Sequence, residues 1–307
     1  FFFKQKTAYE IKECDWSSDV CSSDLEGAMT HDDPAIRFGP DLFRLDGAVA
    51  LVTGAAGAFG RVTAIGMARA GARLFVTDVD APRLAETVEL VRAEGARCES
   101  LAGDSSDPAT IDATFAAIDA AYGRIDVLVN NAGINPQQGR PEDFPLGIWE
   151  HVLHTNLTGY FLHAQAAARR MIAAGGGGSI VNVSSISGAT ALGRGNLAFG
   201  VSKAGVDQMT RELAVEWAVH RIRVNSILPC QFLNDGLRGV IADPAKTRIV
   251  ERMIGGIPMG RMGRAEEIVG PILFLASPAA AMVTGVNLPV DGGNLAMTPG
   301  GSLPGPA

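Results

Sequence analysis

A glycine-rich segment, Thr53-Gly54-Ala55-Ala56-Gly57-Ala58-Phe59-Gly60, follows the first apolar run of the chain. Glycine permits a tight turn there and lets backbone N–H groups approach a diphosphate at the N-terminus of the following helix. The segment therefore predicts a dinucleotide-binding turn that places these residues at the cofactor: Gly54, Gly57, Phe59 and Gly60. The alternative is a strand-to-helix turn in which glycine serves packing alone.

An acidic residue, Asp78, ends the next apolar run, about twenty residues after the turn. At that position a carboxylate can accept hydrogen bonds from both ribose hydroxyls of NAD, and it would repel the extra phosphate of NADP. No basic residue lies inside the glycine turn itself. The pattern favours NAD, whereas the plainer interpretation of Asp78 is an ordinary loop carboxylate before Pro82.

Cys230 and two histidines offer further chemistry without the partners that such chemistry needs. Cys230 could be a nucleophile or a redox thiol, but no histidine is adjacent to it in sequence, and buried inert cysteine is the commoner state. His151 and His154 share a predicted helix and could bind a metal, yet no further ligand with recognisable spacing accompanies them. We predict a surface or interface position for this pair and no metal site.

Short β-rich runs alternate with longer stretches of helical period along the chain. The predicted strands cover residues 48–53, 73–78, 97–103, 125–130, 178–184, 222–228 and 286–290. The predicted helices cover about residues 60–71, 81–95, 108–122, 146–174, 196–219 and 265–276. This alternation predicts an α/β fold with a single doubly wound, parallel, seven-stranded sheet and helices on both faces, which is Rossmann-like. Because ligands bind outside the carboxyl ends of such strands, the glycine turn and Asp78 should lie at one edge.

The remaining segments suggest where the domain begins and ends. Residues 1–25 show neither the helical nor the strand periodicity of apolar residues. The stretches KQKTAYEI and DWSSDVCSSDL resemble a translated sequencing adapter. We therefore interpret residues 1–28 as an artefact and a disordered arm, and residues 29–297 as one NAD-binding domain. Within it, residues 231–258 have a mixed pattern that is typical of a substrate lid. Residues 298–307 are rich in proline and glycine and predict a disordered tail.

The composition excludes several classes of protein. Of the 307 residues, 47% are apolar and 19% charged, and the net charge is −7, or −5 without the first 25 residues. This balance is too apolar for a disordered chain, and it argues against a nucleic acid or an anionic membrane as a partner. The longest apolar run, 271–283, is shorter than the roughly 20 residues that span a bilayer. Cys98 and Cys230 lie far apart, so we expect a reduced, cytoplasmic protein.

Several short motifs occur in a specific order. They are VLVNNAG at 127–133, HTNLTG at 154–159, IVNVSS at 180–185, Lys203, RVNSILP at 223–229 and VDGG at 290–293. In this order they resemble the motif series of the short-chain dehydrogenase/reductase family, over about residues 44–295. The resemblance implies a homotetramer or homodimer that moves a hydride between a nicotinamide cofactor and an alcohol or ketone. Within the family, the sequence looks most like reductases of sugar alcohols, sugar acids and ketoacyl compounds.

The resemblance assigns cofactor contacts position by position. Gly54 and Gly60 match the turn, while Ala58 stands where the middle glycine is usual, which is tolerable if its φ is negative. The family pattern adds residues that contact the adenine or follow the fourth strand: Asp104, Ser105, Asn131, Ala132 and Gly133. Of these, Asn131 could equally brace the sheet. Pro229, which ends a matching strand, is also expected to bind the cofactor. Cys230 follows it in place of the usual glycine, and Asn234 stands where a threonine contacts the nicotinamide amide.

The same resemblance assigns the active site. Asn156 matches a residue that holds a water on the proton path, although a solvated helix asparagine is the alternative. Ser185 matches the serine that hydrogen-bonds the substrate oxygen. Lys203 matches the lysine that grips the nicotinamide ribose and lowers the pKa of the catalytic tyrosine. That tyrosine lies four residues before the lysine in the family, and Phe199 occupies the position here.

Phe199 has no proton to give, and neither Tyr122 nor Tyr160 lies at the required spacing from Lys203. Three explanations compete. The chain could be a dehydrogenase whose sequence carries a base error, or a natural member in which water or Ser185 relays the proton. The third is a non-catalytic NAD-binding regulatory or scaffold protein. We predict an NAD-dependent oxidoreductase that interconverts a secondary alcohol and a ketone, impaired by Phe199, with the binding protein as the alternative.

Overall fold

The structure is a computed structural model that describes residues 39–136, 139–193 and 195–297. The segment 1–28, interpreted as an artefact and arm, and the predicted tail 298–307 lie outside these residues. The chain divides after Asp41 into two units. The sheet, its helices and the candidate site all belong to the unit that begins at Leu42.

Seven strands form one sheet in which every neighbouring pair runs parallel. They are β1 (Val49–Thr53), β2 (Arg73–Asp78), β3 (Cys98–Ala102), β4 (Val127–Asn130), β5 (Gly178–Val183), β6 (Ile222–Pro229) and β7 (Asn287–Val290). Their order is β3-β2-β1-β4-β5-β6-β7. This confirms the predicted doubly wound sheet. The order reverses between β1 and β4, and a crevice for a ligand forms where parallel strands diverge in this way.

Helices cover both faces of the sheet. The α-helices are α1 (Ala58–Arg69), α2 (Ala81–Ala93), α3 (Pro108–Tyr122), α4 (Leu146–Leu153), α5 (Gly159–Ala174), α6 (Ile186–Ala189), α7 (Leu197–Trp217), α8 (Asp235–Ile241), α9 (Thr247–Gly255) and α10 (Val269–Ala276). Short 3-10 segments occupy Pro40–Phe43, Pro141–Asp143, Ala218–His220, Pro244–Lys246, Ala265–Ile268 and Pro278–Ala280.

Local sequence explains where α3 begins and ends. The Asp107 carboxylate accepts hydrogen bonds from the N–H groups of Ala109 and Thr110, which have no partner within the helix. Pro108 suits the first helical position because its missing N–H is not needed there. The helix ends at Gly123, whose φ of +71° is a conformation that glycine adopts without strain.

The core consists of two apolar clusters, one on each face of the sheet. Alternate β1 side chains point to opposite faces, so that Ala50 and Val52 join one cluster while Val49 and Leu51 join the other. The first cluster includes side chains from α1, α2 and α10, and the second includes side chains from α3, α5 and α7. Because both faces are buried, all five residues of β1 are apolar or buried polar residues.

Two predicted segments differ from the observed elements. The helix predicted over 146–174 is interrupted by a π-helical turn, His154–Thr158, between α4 and α5. The mixed segment 231–258 contains the two helices α8 and α9. Each is shorter than ten residues, and α9 has no buried residue.

Candidate functional site

A cavity of about 410 Å³ opens at the carboxyl ends of β1, β2, β3 and β4, where the strand order reverses. Residues from the ends of all four strands line it. Nine of the residues predicted to bind a cofactor are among them: Gly54, Gly57, Phe59, Asp78, Asp104, Ser105, Asn131, Ala132 and Gly133. Ile134, His151, Thr155 and Asn234 complete part of the wall. The tertiary structure thus brings together residues that are spread over eighty positions of the sequence.

The glycine turn passes close to the neighbouring strand. Gly54 has a φ of +67°, and a Cβ atom placed on it would lie 2.7 Å from the Cα of Ala132. A Cβ on Gly60 would overlap the carbonyl of Gly54, whereas a Cβ on Gly57 would lie 3.4 Å from the Gly54 carbonyl oxygen, an ordinary van der Waals contact. Gly60 therefore serves close packing and does not itself line the cavity. Ala58 begins α1 with helical backbone, so its methyl group is compatible with the turn.

No side chain caps the N-terminus of α1, where Gly57 is the N-cap residue. The first N–H groups of a helix lack intrahelical acceptors and carry partial positive charge, which favours a phosphate. Since Gly57 and Phe59 also line the cavity, this helix end faces the space where a diphosphate would lie.

Two carboxylates, Asp78 and Asp104, line the cavity. The oxygens of Asp78 accept hydrogen bonds from the N–H groups of Ala56 at 2.9 Å and Asp80 at 3.0 Å. Asp104 accepts bonds from both the N–H and the hydroxyl of Ser106, at 2.8 and 2.7 Å. Each carboxylate oxygen can accept a further bond, so these contacts fix the carboxylates without exhausting their capacity.

Asn131 braces β1 against β4. Its side-chain amide donates to the carbonyls of Thr53 and Gly54, at 2.9 and 3.0 Å. The Thr53 hydroxyl in turn accepts the N–H groups of Asn131 and Ala132, at 2.9 and 3.1 Å. Sequence reasoning did not identify Thr53, although a hydroxyl directly before the glycine turn was an available signal.

Asn156 lies in the π-helical turn and is fully buried. Its side chain exchanges two hydrogen bonds with the backbone of Ile134, at 2.8 and 2.9 Å, and donates to the Ser202 hydroxyl at 3.2 Å. The alternative of a solvated asparagine is therefore wrong. A Cβ on Gly133 would lie 3.2 Å from the Asn156 side-chain oxygen, so this residue holds the loop after β4 in place.

Ser185 follows β5 and is the N-cap residue of α6. Its hydroxyl accepts the N–H of Ser187 and donates to the Ser187 hydroxyl, both at 3.1 Å. Ser187 also lines a second cavity of about 580 Å³ beside residues 188–193 and 195–197. The walls of this cavity are largely apolar.

Lys203 is buried beneath the loop after β4. Its Nζ donates to the carbonyl of Val183 at 2.9 Å and to the Tyr160 hydroxyl at 3.2 Å. The Tyr160 hydroxyl donates to the same Val183 carbonyl at 3.1 Å, which closes a triangle of three hydrogen bonds. The centre of the Phe199 ring lies 5.7 Å from Nζ. The i, i+4 spacing thus places Phe199 beside the lysine, as predicted, and Tyr160 reaches it from α5.

Burial dominates the electrostatics at this point. It lowers the pKa of the Lys203 ammonium to about 7, against the opposing effect of the Asp207 carboxylate. Burial also raises the pKa of Asp207, while hydrogen bonds from Ser184 and Ser226 lower it. The pKa of the Tyr160 hydroxyl is raised well above its usual range because the ring is buried.

The remaining candidate residues are Pro229, Cys230 and His151. Pro229 is buried at the end of β6 and does not line the cavity. Burial raises the pKa of the neighbouring Cys230 thiol to about 11, which agrees with an inert cysteine. His151 is exposed at the cavity rim. Among the described residues, no group of three or more potential ligands could hold a metal ion, and no helix is long and apolar enough to cross a membrane.

This site fits a nicotinamide dinucleotide. The cavity is narrow where Gly54 meets Ala132, the uncapped N-terminus of α1 faces it, and two carboxylates line it. The Thr155 hydroxyl lines the cavity and is buried without a hydrogen-bond partner in the described structure, so a bound polar group could satisfy it. Fold and site define a dinucleotide-binding α/β oxidoreductase.

Comparison with known proteins identifies the family. A family model described as "Enoyl-(Acyl carrier protein) reductase" matches residues 54–294. The chain is 39% identical over 250 residues to L-rhamnose 1-dehydrogenase (NAD(P)(+)) of a Sphingomonas species, covering 81% of this chain and 96% of that protein. It is 38% identical over 251 residues to D-threitol dehydrogenase of Mycolicibacterium smegmatis, covering 82% and 94%.

A solved structure agrees with the sequence comparisons. It is a gluconate 5-dehydrogenase from Burkholderia cenocepacia in complex with NADP and tartrate, with a TM-score of 0.77 and 33% identity. The alignment covers 84% of this chain and 99% of that one. The chain therefore belongs to the short-chain dehydrogenase/reductase family.

Proposed function

We propose that the chain is an NAD-dependent oxidoreductase that interconverts a secondary alcohol and a ketone of the polyol, sugar-acid or hydroxyacyl type. The observation that carries this proposal is the single cavity wall in which the glycine turn, Asp78 and Gly133 meet, with Lys203 3.8 Å from a Cβ placed on Gly133. A bound nicotinamide would supply hydride transfer. Related proteins named for L-rhamnose, D-threitol and gluconate support the substrate class.

The residues have distinct roles in this proposal. The first turn of α1, with Gly57 and Phe59, binds the diphosphate, and Asp104 with Ser105 lies at the adenine. Asp78 accepts the ribose hydroxyls, and Lys203 holds the second ribose. Ser185 holds the substrate oxygen, and Asn156 orders the loop beside it. The lid, residues 231–258, and the cavity beside Ser187 select the substrate.

Charge supports NAD over NADP. Among the described residues, none of those lining the cavity is lysine or arginine, while Asp78 and Asp104 are acidic. Arg61, the basic residue that directly follows the glycine turn, is held by Glu86 at 2.8 Å and by the Arg83 carbonyl at 3.1 Å. NADP is the competing cofactor, because the Burkholderia structure holds it and the Sphingomonas enzyme is named for both.

Phe199 should impair catalysis, because general acid–base assistance contributes about 10²- to 10⁴-fold to a rate. The test compares the chain with its Phe199→Tyr variant, using NAD-dependent oxidation of polyols, sugar acids and hydroxyacyl compounds. We expect both proteins to bind NADH and the tyrosine variant to turn over faster by a factor in that range.

A different result would favour the alternative function. If both proteins bind NADH and neither oxidises any substrate, the chain is better described as a non-catalytic NAD-binding regulatory or scaffold protein. The retained Ser185, Asn156 and Lys203 favour an enzyme. Resequencing the codon for residue 199 tests the base-error explanation directly.

We further propose a homotetramer or homodimer in the cytoplasm. Helix α7 exposes apolar side chains, Leu197, Val201 and Val215, the last with 78% of its surface accessible. A partner subunit would cover them. Light scattering coupled to size exclusion should give a mass of two or four chains, and a monomer would contradict this assembly.

A further inference from the structure

The contacts of Lys203 differ from those that sequence spacing alone implies. Its ammonium group has three N–H bonds, and two of them are directed to Val183 and Tyr160. Among the described residues, the third has no protein acceptor. A Cβ placed on Gly133, which lines the main cavity, would lie 3.8 Å from Nζ. The lysine therefore lies just behind the wall of the cavity.

Tyr160 contacts the lysine with both its hydroxyl and its ring. Its hydroxyl accepts a hydrogen bond from Nζ, and the centre of its ring lies 4.6 Å from the same atom. Tyr160 comes from α5 and Val183 from the end of β5, so the two partners belong to different elements of the core. Both are buried, which fixes the position of Nζ.

We propose that Lys203 is the proton carrier of this chain, in place of the hydroxyl missing at Phe199, and that Tyr160 is the residue that positions it. This inference rests on the proposed function. In alcohol oxidation the O–H bond breaks and its proton bonds to the neutral Nζ amine, while the oxygen keeps the electron pair and forms the carbonyl. The C–H electron pair leaves as hydride to the oxidised nicotinamide, the co-reactant, and the Lys203 ammonium returns its proton to water.

The ionisable groups around Lys203 are few. Tyr160 faces Nζ from α5, and Asp207 lies one turn further along α7. Strand β5 and helix α6 contain no ionisable side chain. The exposed ionisable groups on adjacent elements are Glu150, His151, His154, Arg169, Arg211, Glu212 and Glu216. Of the others, the buried His163 lies with its Nδ1 2.9 Å from the Gly159 carbonyl, Arg170 pairs with Asp119 at 2.6 Å, and Arg223 bonds to backbone carbonyls near Leu275. A lysine with a pKa of about 7 exchanges its proton near neutral pH, which suits this role.

The first experiment measures the ionisation of Lys203 directly, without turnover. The chain contains five lysines, so ¹³C,¹⁵N-lysine labelling gives five side-chain signals by NMR, and Lys203→Met assigns one by its loss. We expect that signal to titrate near pH 7. Tyr160→Phe removes an acceptor that stabilises the ammonium, so the midpoint should move to lower pH. Titration near the usual value, about 10.4, would overturn the proposal.

Tyr122→Phe is the matched control, because the Tyr122 hydroxyl bonds to the Leu74 carbonyl, far from Lys203, at 2.7 Å. This variant should leave the midpoint unchanged. If Tyr160→Phe also leaves it unchanged, Tyr160 does not position the lysine, and that part of the proposal is wrong.

The second experiment measures oxidation against pH for the chain, Tyr160→Phe, Tyr122→Phe and Phe199→Tyr. Because the neutral amine is the base, the rate of the unmodified chain should rise through one ionisation that matches the NMR midpoint. Tyr160→Phe should shift that ionisation to lower pH. In Phe199→Tyr, the ionisation seen in the rate should no longer coincide with the NMR midpoint of Lys203.

The outcomes separate this inference from the proposed function. A chain that is inactive at every pH while Phe199→Tyr is active overturns the role of Lys203 and leaves the proposed function standing. Inactivity of both proteins, with NADH still bound, overturns the proposed function and this inference with it.

Discussion

Some polar side chains at the site bond to neighbouring backbone groups, whereas others keep acceptor sites that a ligand could use. The side chains of Asn131 and Asn156 form hydrogen bonds with the backbone of neighbouring segments, so these residues shape the cavity walls. Asp78 uses one bond per oxygen and retains further acceptor sites toward the cavity. Position in the sequence did not distinguish these two kinds of residue, because the distinction depends on which backbone groups lie within reach.

The role of Asp78 can be tested at the residue scale. Asp78→Ala should weaken NADH binding by about 10- to 100-fold, since a hydrogen bond to a charged group contributes about 1.5–3 kcal/mol. NADPH binding should weaken less, because the loss of negative charge offsets the lost bonds. Fluorescence titration of both cofactors gives the two affinities.

Asp80→Ala is the control for this substitution, since Asp80 lies in the same loop and does not line the cavity. It should affect both cofactors equally and slightly. Equal losses of affinity for NADH and NADPH in Asp78→Ala would show that Asp78 does not accept hydrogen bonds from the ribose.

Secondary-structure elements place these side chains through tight turns and one irregular helix. The close approach of Gly54 to Ala132 holds the glycine turn against the loop after β4. The π-helical turn between α4 and α5 places Asn156 against the same loop. Such turns interrupt a helix at a cost in regular hydrogen bonding and are frequent at functional sites.

Two glycines with nearly equal φ allow the cost of backbone strain to be distinguished from the cost of a steric clash. Gly54 and Gly123 have φ values of +67° and +71°, but a Cβ on Gly123 would meet no atom within 4 Å. Gly123→Ala should lower the free energy of unfolding by about 1–2 kcal/mol, the cost of the left-handed conformation. Gly54→Ala should lower it by about 1–3 kcal/mol more, because of overpacking, and should also weaken NADH binding.

Urea unfolding and NADH titration of both variants measure these effects. Similar losses of stability in the two variants, with NADH affinity intact, would show that the contact between Gly54 and Ala132 is not tight in the protein.

The whole molecule buries ionisable groups as well as apolar ones, which makes its stability depend on pH. His163 on α5 is 2% exposed, its Nδ1 lies 2.9 Å from the Gly159 carbonyl, and burial lowers its pKa to about 4. The unfolded chain binds a proton at this imidazole below about pH 6.5, while the folded chain does not.

Stability from His163 is therefore complete above about pH 6.5 and is lost as the pH falls toward the folded pKa of about 4. The free energy of unfolding should decrease by about 1.4 kcal/mol per pH unit in that window. Urea unfolding of the chain and of His163→Gln, which cannot titrate, measures this slope, with exposed His220→Gln as the control. A slope that persists in His163→Gln would assign the effect to other groups.

The sequence by itself determined the fold class, the order of its elements and most of the residues that line the main cavity. Strand and helix periods follow from which residues must be buried, and the glycine turn and Asp78 fall at strand ends by that same pattern. It also placed Phe199 beside Lys203, because residues four apart share a helix face.

Only the tertiary structure decided how Lys203 is held. Tyr160 lies 43 positions away in sequence, and its hydroxyl reaches Nζ because α5 and α7 pack on the same face of the sheet. No sequence spacing encodes that contact, since it depends on how two helices are placed against β5. Likewise, the contact of the π-helical turn with the loop after β4, through Asn156 and Ile134, joins residues 22 positions apart that no sequence spacing pairs.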